Sequence, residues 1–213
     1  MTLPCPSLWR VGGLLILAGT LAFPACGRLS AQNDDSDARR LAEQLRVRPG
    51  MHLAEIGAGS GALTVALAKD VGVTGLVYSN ELSGNRRAAI RRAVEREGLT
   101  NVTIVEGRPT DTNLPDACCE GIFMRDVYHH FGDPALMNLS LWRSLKPGGR
   151  LAIIDFPPRG GREADEPEGR DSGTRHGVSP GTVQQELRAA GFEIIETDAP
   201  TGRRGFMVVG QKR

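Results

Sequence analysis

Leu53-Ala54-Glu55-Ile56-Gly57-Ala58-Gly59-Ser60-Gly61, followed at once by Ala62-Leu63-Thr64-Val65-Ala66-Leu67-Ala68, decides how this chain folds. A short apolar run carrying one acid gives way to glycine at alternate positions, then to an apolar pattern of helical period. That is a strand feeding a helix through a turn almost without side chains. Glycine at 57, 59 and 61 lets backbone N–H groups approach a ligand closely, where Cβ atoms would stand in the way. The helix that follows offers unpaired N–H groups and the positive end of its dipole. The turn suits a nucleotide-like small molecule.

Working outward, the same rhythm repeats. Asp34 to Val47 reads as an amphipathic helix with acids in its first turn. Met51 to Ile56 is the first strand, Ala62 to Asp70 a helix, Gly75 to Ser79 a strand and Ser83 to Glu97 a helix rich in arginine. Asn101 to Val105 and Gly121 to Met124 are strands, Pro134 to Leu145 a helix, and Arg150 to Asp155 a strand entered through Lys146-Pro147-Gly148-Gly149. Strands alternating with helices at these lengths predict an α/β fold whose parallel sheet is covered on both faces. Phe156 to Val178 breaks the rhythm and reads as a loop or lid of mixed, solvated charge. Ser179 then caps a helix beginning at Pro180, and Phe192 to Thr197 and Gly205 to Val209 read as a closing antiparallel hairpin.

The 213 residues suit one domain, and 26 basic against 25 acidic side chains give nothing that points to nucleic acid or an anionic surface. Of four cysteines, Cys118 and Cys119 are adjacent. No C-x-x-C or Cys/His ligand spacing is present, so neither a zinc site nor a disulfide framework is expected and no metal ligand is assigned. The pair reads as two ordinary cysteines at a strand start, with a soft-metal or metalloid thiolate site as the alternative. Val11 to Phe23 is apolar or small apart from Thr20 and follows Arg10. Its length fits a signal-peptide core and falls short of the roughly 20 residues that span a bilayer. Leu29-Ser30-Ala31 offers a cleavage point, and Phe23-Pro24-Ala25-Cys26 loosely resembles a lipoprotein box. Residues 1–31 are therefore expected to be a signal peptide or short membrane anchor, and 32–213 the folded domain. The protein is then exported, periplasmic or membrane-attached through residues 11–23; with that segment unused it is cytoplasmic.

The spacing of the turn separates ligand classes. Dinucleotide sites want G-x-G-x-x-G and an acid about 20 residues on. Here the spacing is G-x-G-x-G, with Ala62 where the third glycine would fall. Glu55 before the turn, Glu81 at the end of the second strand, Asp126-Val127-Tyr128-His129-His130 after the fourth, and Lys146-Pro147-Gly148-Gly149 before the fifth follow in order. Together they resemble the class I S-adenosylmethionine-dependent methyltransferases, of the small-molecule, type 11-like kind, over about residues 37–210. The resemblance implies a Rossmann-like, doubly wound, seven-stranded sheet, mostly parallel with a C-terminal antiparallel hairpin, and S-adenosylmethionine as cofactor. It places the methionine part against Glu55 and the turn residues Gly57, Ala58, Gly59 and Gly61, and the ribose on Glu81 beside Leu82, with Asp126 also at the cofactor. The chemistry agrees: a carboxylate pairs with an ammonium and accepts from a diol, whereas Glu55 would repel a pyrophosphate.

One position departs from the family pattern. Gly107-Arg108-Pro109-Thr110-Asp111 stands where G-D-A or G-D-P is usual, and arginine cannot accept from the adenine amino group. Asp111, a backbone carbonyl, or stacking on the Arg108 guanidinium is left to meet the base. Methyl transfer is governed by positioning, with a base needed only if the acceptor sheds a proton. His129, His130 and Tyr128 are the catalytic candidates; Asp126 and His176 lie near them in the scheme. The acceptor is expected to be a small molecule. A non-catalytic exported nucleotide-binding protein on the same fold is the competing reading, and an NAD-dependent oxidoreductase a weaker one.

Overall fold

Every residue of Leu53–Ile56 is buried, on both sides of the strand, which is what the centre of a parallel sheet demands and what Leu53, Ala54 and Ile56 supply, with Glu55 the one buried acid among them. In the computed structural model, which describes residues 25–158, 166–171, 173–198 and 205–213, this strand, β1 (His52–Ile56), pairs in parallel with β2 (Leu76–Glu81) on one side and β4 (Cys119–Arg125) on the other. β3 (Val102–Glu106) joins β2, and β5 (Leu145–Asp155) joins β4, also in parallel. β7 (Phe206–Lys212) runs antiparallel to β5, and β6 (Phe192–Asp198) antiparallel to β7 at the edge. The order is β3-β2-β1-β4-β5-β7-β6, the seven-stranded, mostly parallel sheet with a terminal antiparallel pair that was expected.

Alternate side chains divide between two cores. Ile122, Met124, Ile153 and Val208 face one side, against α4 (Pro134–Ser144) and α5 (Pro180–Ala189). Leu53, Phe123, Ala152 and Val209 face the other, against α1 (Ala25–Leu45) and α2 (Ala62–Val71). α3 (Gly84–Arg96) lies against β2 and β3, with Ile90 and Val94 in a smaller cluster with Ala58. The caps match the sequence signals: Ser179 accepts from Thr182 N–H at 3.2 Å, and Asp133 accepts from Leu136 N–H at 2.9 Å, ahead of Pro134.

Four expectations change. α1 runs Ala25–Leu45 rather than from Asp34 to Val47, while the apolar run 11–23 of the expected leader lies outside the described residues. Among the described residues no helix is long and apolar enough to cross a membrane. β5 starts at Leu145, because Leu145 pairs with Cys119 and the ladder shifts register before resuming at Gly121–Arg150; the Lys146–Gly149 turn is an irregularity within the strand. Cys118 and Cys119, both buried, are joined as a vicinal disulfide, so the reading as two ordinary thiols is corrected. Adjacency in sequence gave no spacing signal for a bond between neighbours.

The loop is also less solvated than its charge pattern implies. Arg170 is buried and pairs with Glu186 of α5 at 2.8 Å, and the backbone is tied down by Val178 N–H to Phe156 C=O at 3.0 Å. Arg159 and Arg162 lie outside the described residues.

Candidate functional site

The C-terminal ends of β1, β2 and β4 open onto a cavity of about 830 Å³. It sits where strand order reverses, between β1 and β4, the point at which open α/β sheets bind their ligands. The glycine turn forms its floor. Gly57 has φ +68, and a Cβ there would come 2.5 Å from Val127 Cγ2. At Gly59 (φ +56) a Cβ would meet no protein atom within 4 Å. Gly57 is thus required by the protein's own packing, and Gly59 by backbone shape and by whatever approaches from the cavity.

Glu55 lines this cavity yet is only 4% exposed. Its Oε2 accepts a short hydrogen bond from Thr64 Oγ1 in the first turn of α2, and that hydroxyl lies 2.7 Å from Ser79 Oγ. Burial dominates its titration, pushing the carboxyl up from 4.5 to about 8, against the opposing pull of Thr64 and of the Arg125 charge. A buried acid with so little compensation is suited to receive a cation.

Glu81, at the end of β2, is held differently. Oε2 accepts from Gly59 N–H and Oε1 from Ser83 N–H, each at 3.0 Å. The carboxylate therefore clamps the glycine turn while its remaining lone pairs face the cavity it lines. Beside it, Asn80 donates Nδ2–H to Thr112 C=O at 2.5 Å, and its backbone carbonyl accepts from Ala58 N–H at 3.0 Å. Gly107 packs so closely on Asn80 that a Cβ would fall 2.4 Å from Oδ1.

At the far end, Leu82, Arg108, Pro109 and Thr110 line the cavity. Asp111 does not: Arg143 holds its Oδ2 at 3.0 Å and Asn113 N–H its Oδ1 at 2.6 Å. Of the three ways left open for meeting a base, the carboxylate of Asp111 is withdrawn.

On the other side stand the residues after β4. Asp126 lines the cavity in a left-handed conformation (φ +57), its carboxyl pushed up by burial and by the Asp155 charge. Arg125 beside it is paired with Asp34 at 2.7 Å and Asp37 at 3.1 Å, both on α1. His130 lines the cavity and its Nδ1 meets Asp171 Oδ1. His129 is turned inward: Asp155 takes its backbone N–H at 3.1 Å and its Nδ1 at 2.8 Å. A carboxylate only accepts, so Nδ1 carries the proton and Nε2 is left to face His176 Nε2, 3.1 Å away. Tyr128 faces elsewhere. Its ring is fully buried in the core, its hydroxyl donates to Glu186 at 2.9 Å and accepts from Asn138 at 2.7 Å. Burial raises the phenol well above its ordinary range. As a catalytic candidate Tyr128 is corrected: it anchors α4 to α5 and does not reach the cavity.

Sequence reasoning passed over Thr64, Asn80, Arg125 and Asp155. Asp155 carried a signal, since it ends an apolar strand as Glu55 nearly does and as Glu81 does. Residues 54–153 match the family model of a methyltransferase domain. That match and the relatives below support a class I S-adenosylmethionine-dependent methyltransferase. The 27-O-demethylrifamycin SV methyltransferase of Amycolatopsis mediterranei is 34% identical over 161 residues, covering 72% of this chain and 58% of that one. A ubiquinone/menaquinone biosynthesis C-methyltransferase of Burkholderia vietnamiensis is 31% identical over 116 residues, covering 53% and 46%. The chain thus spans about half the length of these curated relatives. A methyltransferase structure from Aquifex aeolicus superposes with a TM-score of 0.71 at 24% identity, over 86% of this chain and 98% of that one. The cofactor of this methyltransferase family is S-adenosylmethionine, and the residues present fit it: a buried acid for its ammonium, a clamped carboxylate for its ribose, and bare backbone between them.

Proposed function

We propose that this protein transfers a methyl group from S-adenosylmethionine to a small-molecule acceptor. The observation that carries the reading is the placement of Glu55 and Glu81 on either side of one glycine turn, in a cavity within the 300–1,000 Å³ range of small-molecule sites. When bound, the cofactor supplies an electrophilic methyl on a sulfonium. Glu55 pairs with its ammonium, Gly57 to Gly61 give its carboxylate a wall without side chains, and Glu81 accepts from its ribose. Leu82 and Pro109 cover the adenine end, where Thr110 and the Arg108 guanidinium supply polar and stacking contact.

The acceptor enters on the side of Asp126, His130 and Phe131, which line the same cavity as Glu55 and Glu81. His130, with His129 oriented by Asp155 behind it, forms the polar wall that activates the acceptor. Relatives named for 27-O-demethylrifamycin SV and for ubiquinone/menaquinone biosynthesis support a low-molecular-weight acceptor. Residues 11–23 direct export under the same proposal; cell fractionation that finds the full-length protein wholly in the cytosol overturns that part alone.

The test is calorimetry of S-adenosylmethionine and NAD with the purified protein, followed by methyl-transfer assays over phenol, alcohol, amine and carbon acceptors. Binding of the sulfonium cofactor with turnover of any of these supports the proposal. Tight NAD binding without sulfonium binding refutes it, and cofactor binding without turnover across the panel favours the non-catalytic binding protein.

A further inference from the structure

Three of the four histidines of the chain, from two segments 46 residues apart, meet at one point. One ring nitrogen from each of His129, His130 and His176 lies within 4.8 Å of the other two. His129 Nε2 and His176 Nε2 are 3.1 Å apart, close to the separation of about 3.3 Å between two nitrogens on one tetrahedral ion with bonds of 2.0–2.1 Å. The 129 and 130 rings lie 3.9 Å apart between centroids, and the 129 and 176 rings 4.7 Å.

The surroundings are those of metal ligands. Imidazoles that bind metals usually give their second nitrogen to a carboxylate, which fixes the tautomer and the ring plane. Two of the three do so here: Asp155 holds His129 Nδ1 at 2.8 Å, and Asp171 holds His130 Nδ1. Phe156 closes one side, with its ring 4.8 Å from His129 and 5.1 Å from His176. An apolar wall of this kind limits access of water and strengthens charge–ligand interactions within. Neither the glycine turn nor the cofactor contacts account for a buried His–Asp pair backed by a third imidazole from a distant loop.

We propose that His129, His130 and His176 hold a divalent transition-metal ion, of the zinc class, through their Nε2 atoms. Three neutral imidazoles are the ligand set of an open catalytic site, in which the fourth position takes water or substrate. His130 is the ring that borders the cavity and has half its side-chain surface exposed. It is therefore the ring that swings inward to bring the widest separation down to coordination distance. The open position then faces the acceptor side, and the acceptor class follows: a molecule that binds the ion through an ionisable oxygen or sulfur. This assignment of acceptor class rests on the methyl-transfer reading; the ion site does not.

The test uses untagged full-length protein, stripped with chelator and left oxidised so that Cys118 and Cys119 stay bonded. Zinc(II) is titrated by calorimetry and cobalt(II) by visible absorption. One ion per chain with a Kd in the micromolar range or tighter, and cobalt bands of a four-coordinate nitrogen site, are expected. His176→Ala should weaken binding at least tenfold, and Asp155→Asn about 10- to 100-fold by freeing the His129 ring. His176 does not line the cofactor cavity, so its variant should bind S-adenosylmethionine as the parent does, which also reports that the fold is intact. Absence of stoichiometric binding at 100-fold the expected range, or binding unchanged by both His176→Ala and His129→Ala, overturns the ion site. Cofactor affinity of the stripped protein is read separately, so failure of the ion site and failure of the methyltransferase reading give different results.

Discussion

Cofactor binding should expel a proton, and Glu55 is the source. Its carboxyl stands at about 8 in the folded protein because burial outweighs the hydrogen bonds from Thr64 and the Arg125 charge. At pH 6.5 it is then about 97% protonated, from the ordinary titration relation. An ammonium placed against it favours the carboxylate by a direct charge–charge interaction in a low-dielectric site, so the proton leaves as the cofactor enters. Close to one proton per cofactor is expected at pH 6.5, where the cofactor's own amine, with a pKa of about 7.7–8.0, is still charged. Affinity should rise by close to tenfold per pH unit around pH 6 to 6.5 and flatten above pH 7, as Glu55 and the cofactor's amine each approach their own pKa. The assay is calorimetry in buffers of different ionisation enthalpy, whose slope counts protons. Glu55→Gln should abolish the slope and weaken binding. The same group sets a stability trend of known sign. Below pH 4.5 the acid is protonated folded and unfolded; between 4.5 and about 8 only the folded state keeps its proton; above 8 neither does. Stability of the cofactor-free protein should therefore fall as pH rises through that window, by up to about 5 kcal/mol in all. Glu55→Gln should be more stable than the parent at pH 8 and no more stable at pH 4. A zero buffer slope in the parent, or a variant that binds cofactor equally well, refutes the assignment of the ammonium to Glu55.

Glu81→Ala removes the acceptor of Gly59 N–H and Ser83 N–H; cofactor affinity by calorimetry should drop at least about tenfold, with about 1–3 kcal/mol lost from urea-measured stability. Gly57→Ala meets Val127 and Gly59→Ala meets nothing, so the first should cost more stability than the second, whose strain is about 1–2 kcal/mol, while both weaken cofactor binding. Tyr128→Phe strands Glu186 and Asn138 of one donor–acceptor chain; stability should fall by about 1–3 kcal/mol with cofactor affinity unchanged, and a selective loss of turnover at full stability would restore Tyr128 as a catalytic group. Asp34→Ala with Asp37→Ala frees Arg125 at the cavity wall; the double variant should bind cofactor more weakly as the cation turns toward Glu55, and unchanged affinity would show that α1 has no part in the site.

The sheet was legible because its evidence is periodic. The central strands β1, β4 and β5 are apolar runs long enough to be buried on both faces, and several of the helices that cross between strands start at a side-chain cap, as Ser83, Asp133 and Ser179 show. Glu55 and Glu81 were legible because an acid at the end of an apolar strand beside a glycine turn has little other reason to be there. What escaped was long-range. Tyr128 follows β4 within the same run as His129 and His130, and nothing local tells which of three consecutive side chains points inward. That is decided by Glu186 and Asn138, 58 and 10 residues away. Asp111 reads as a spare acceptor until Arg143 claims it. The three histidines were gathered near the site by the order of the strands, but not as ligands: metal spacings are recognised when ligands share a helix or a turn, whereas His176 arrives through a loop with no period at all.

Under the proposed placement of the cofactor, the three ends of the cavity are built on different physical terms, and this bears on what the site discriminates. The ribose end is preorganised, since Glu81 is already bonded to two backbone N–H groups and gains a ligand without rearranging. The methionine end is not preorganised in charge: Glu55 must give up a proton, so a ligand lacking the ammonium gains nothing there and leaves the acid neutral. The adenine end offers contact and a guanidinium but no carboxylate acceptor among the residues that line it. Selectivity for the base should accordingly be shallow, and selectivity for the amino-acid part steep. Replacing adenine by another purine ought to cost this protein less affinity than removing the α-amino group, and an aspartate at position 108 would narrow that difference.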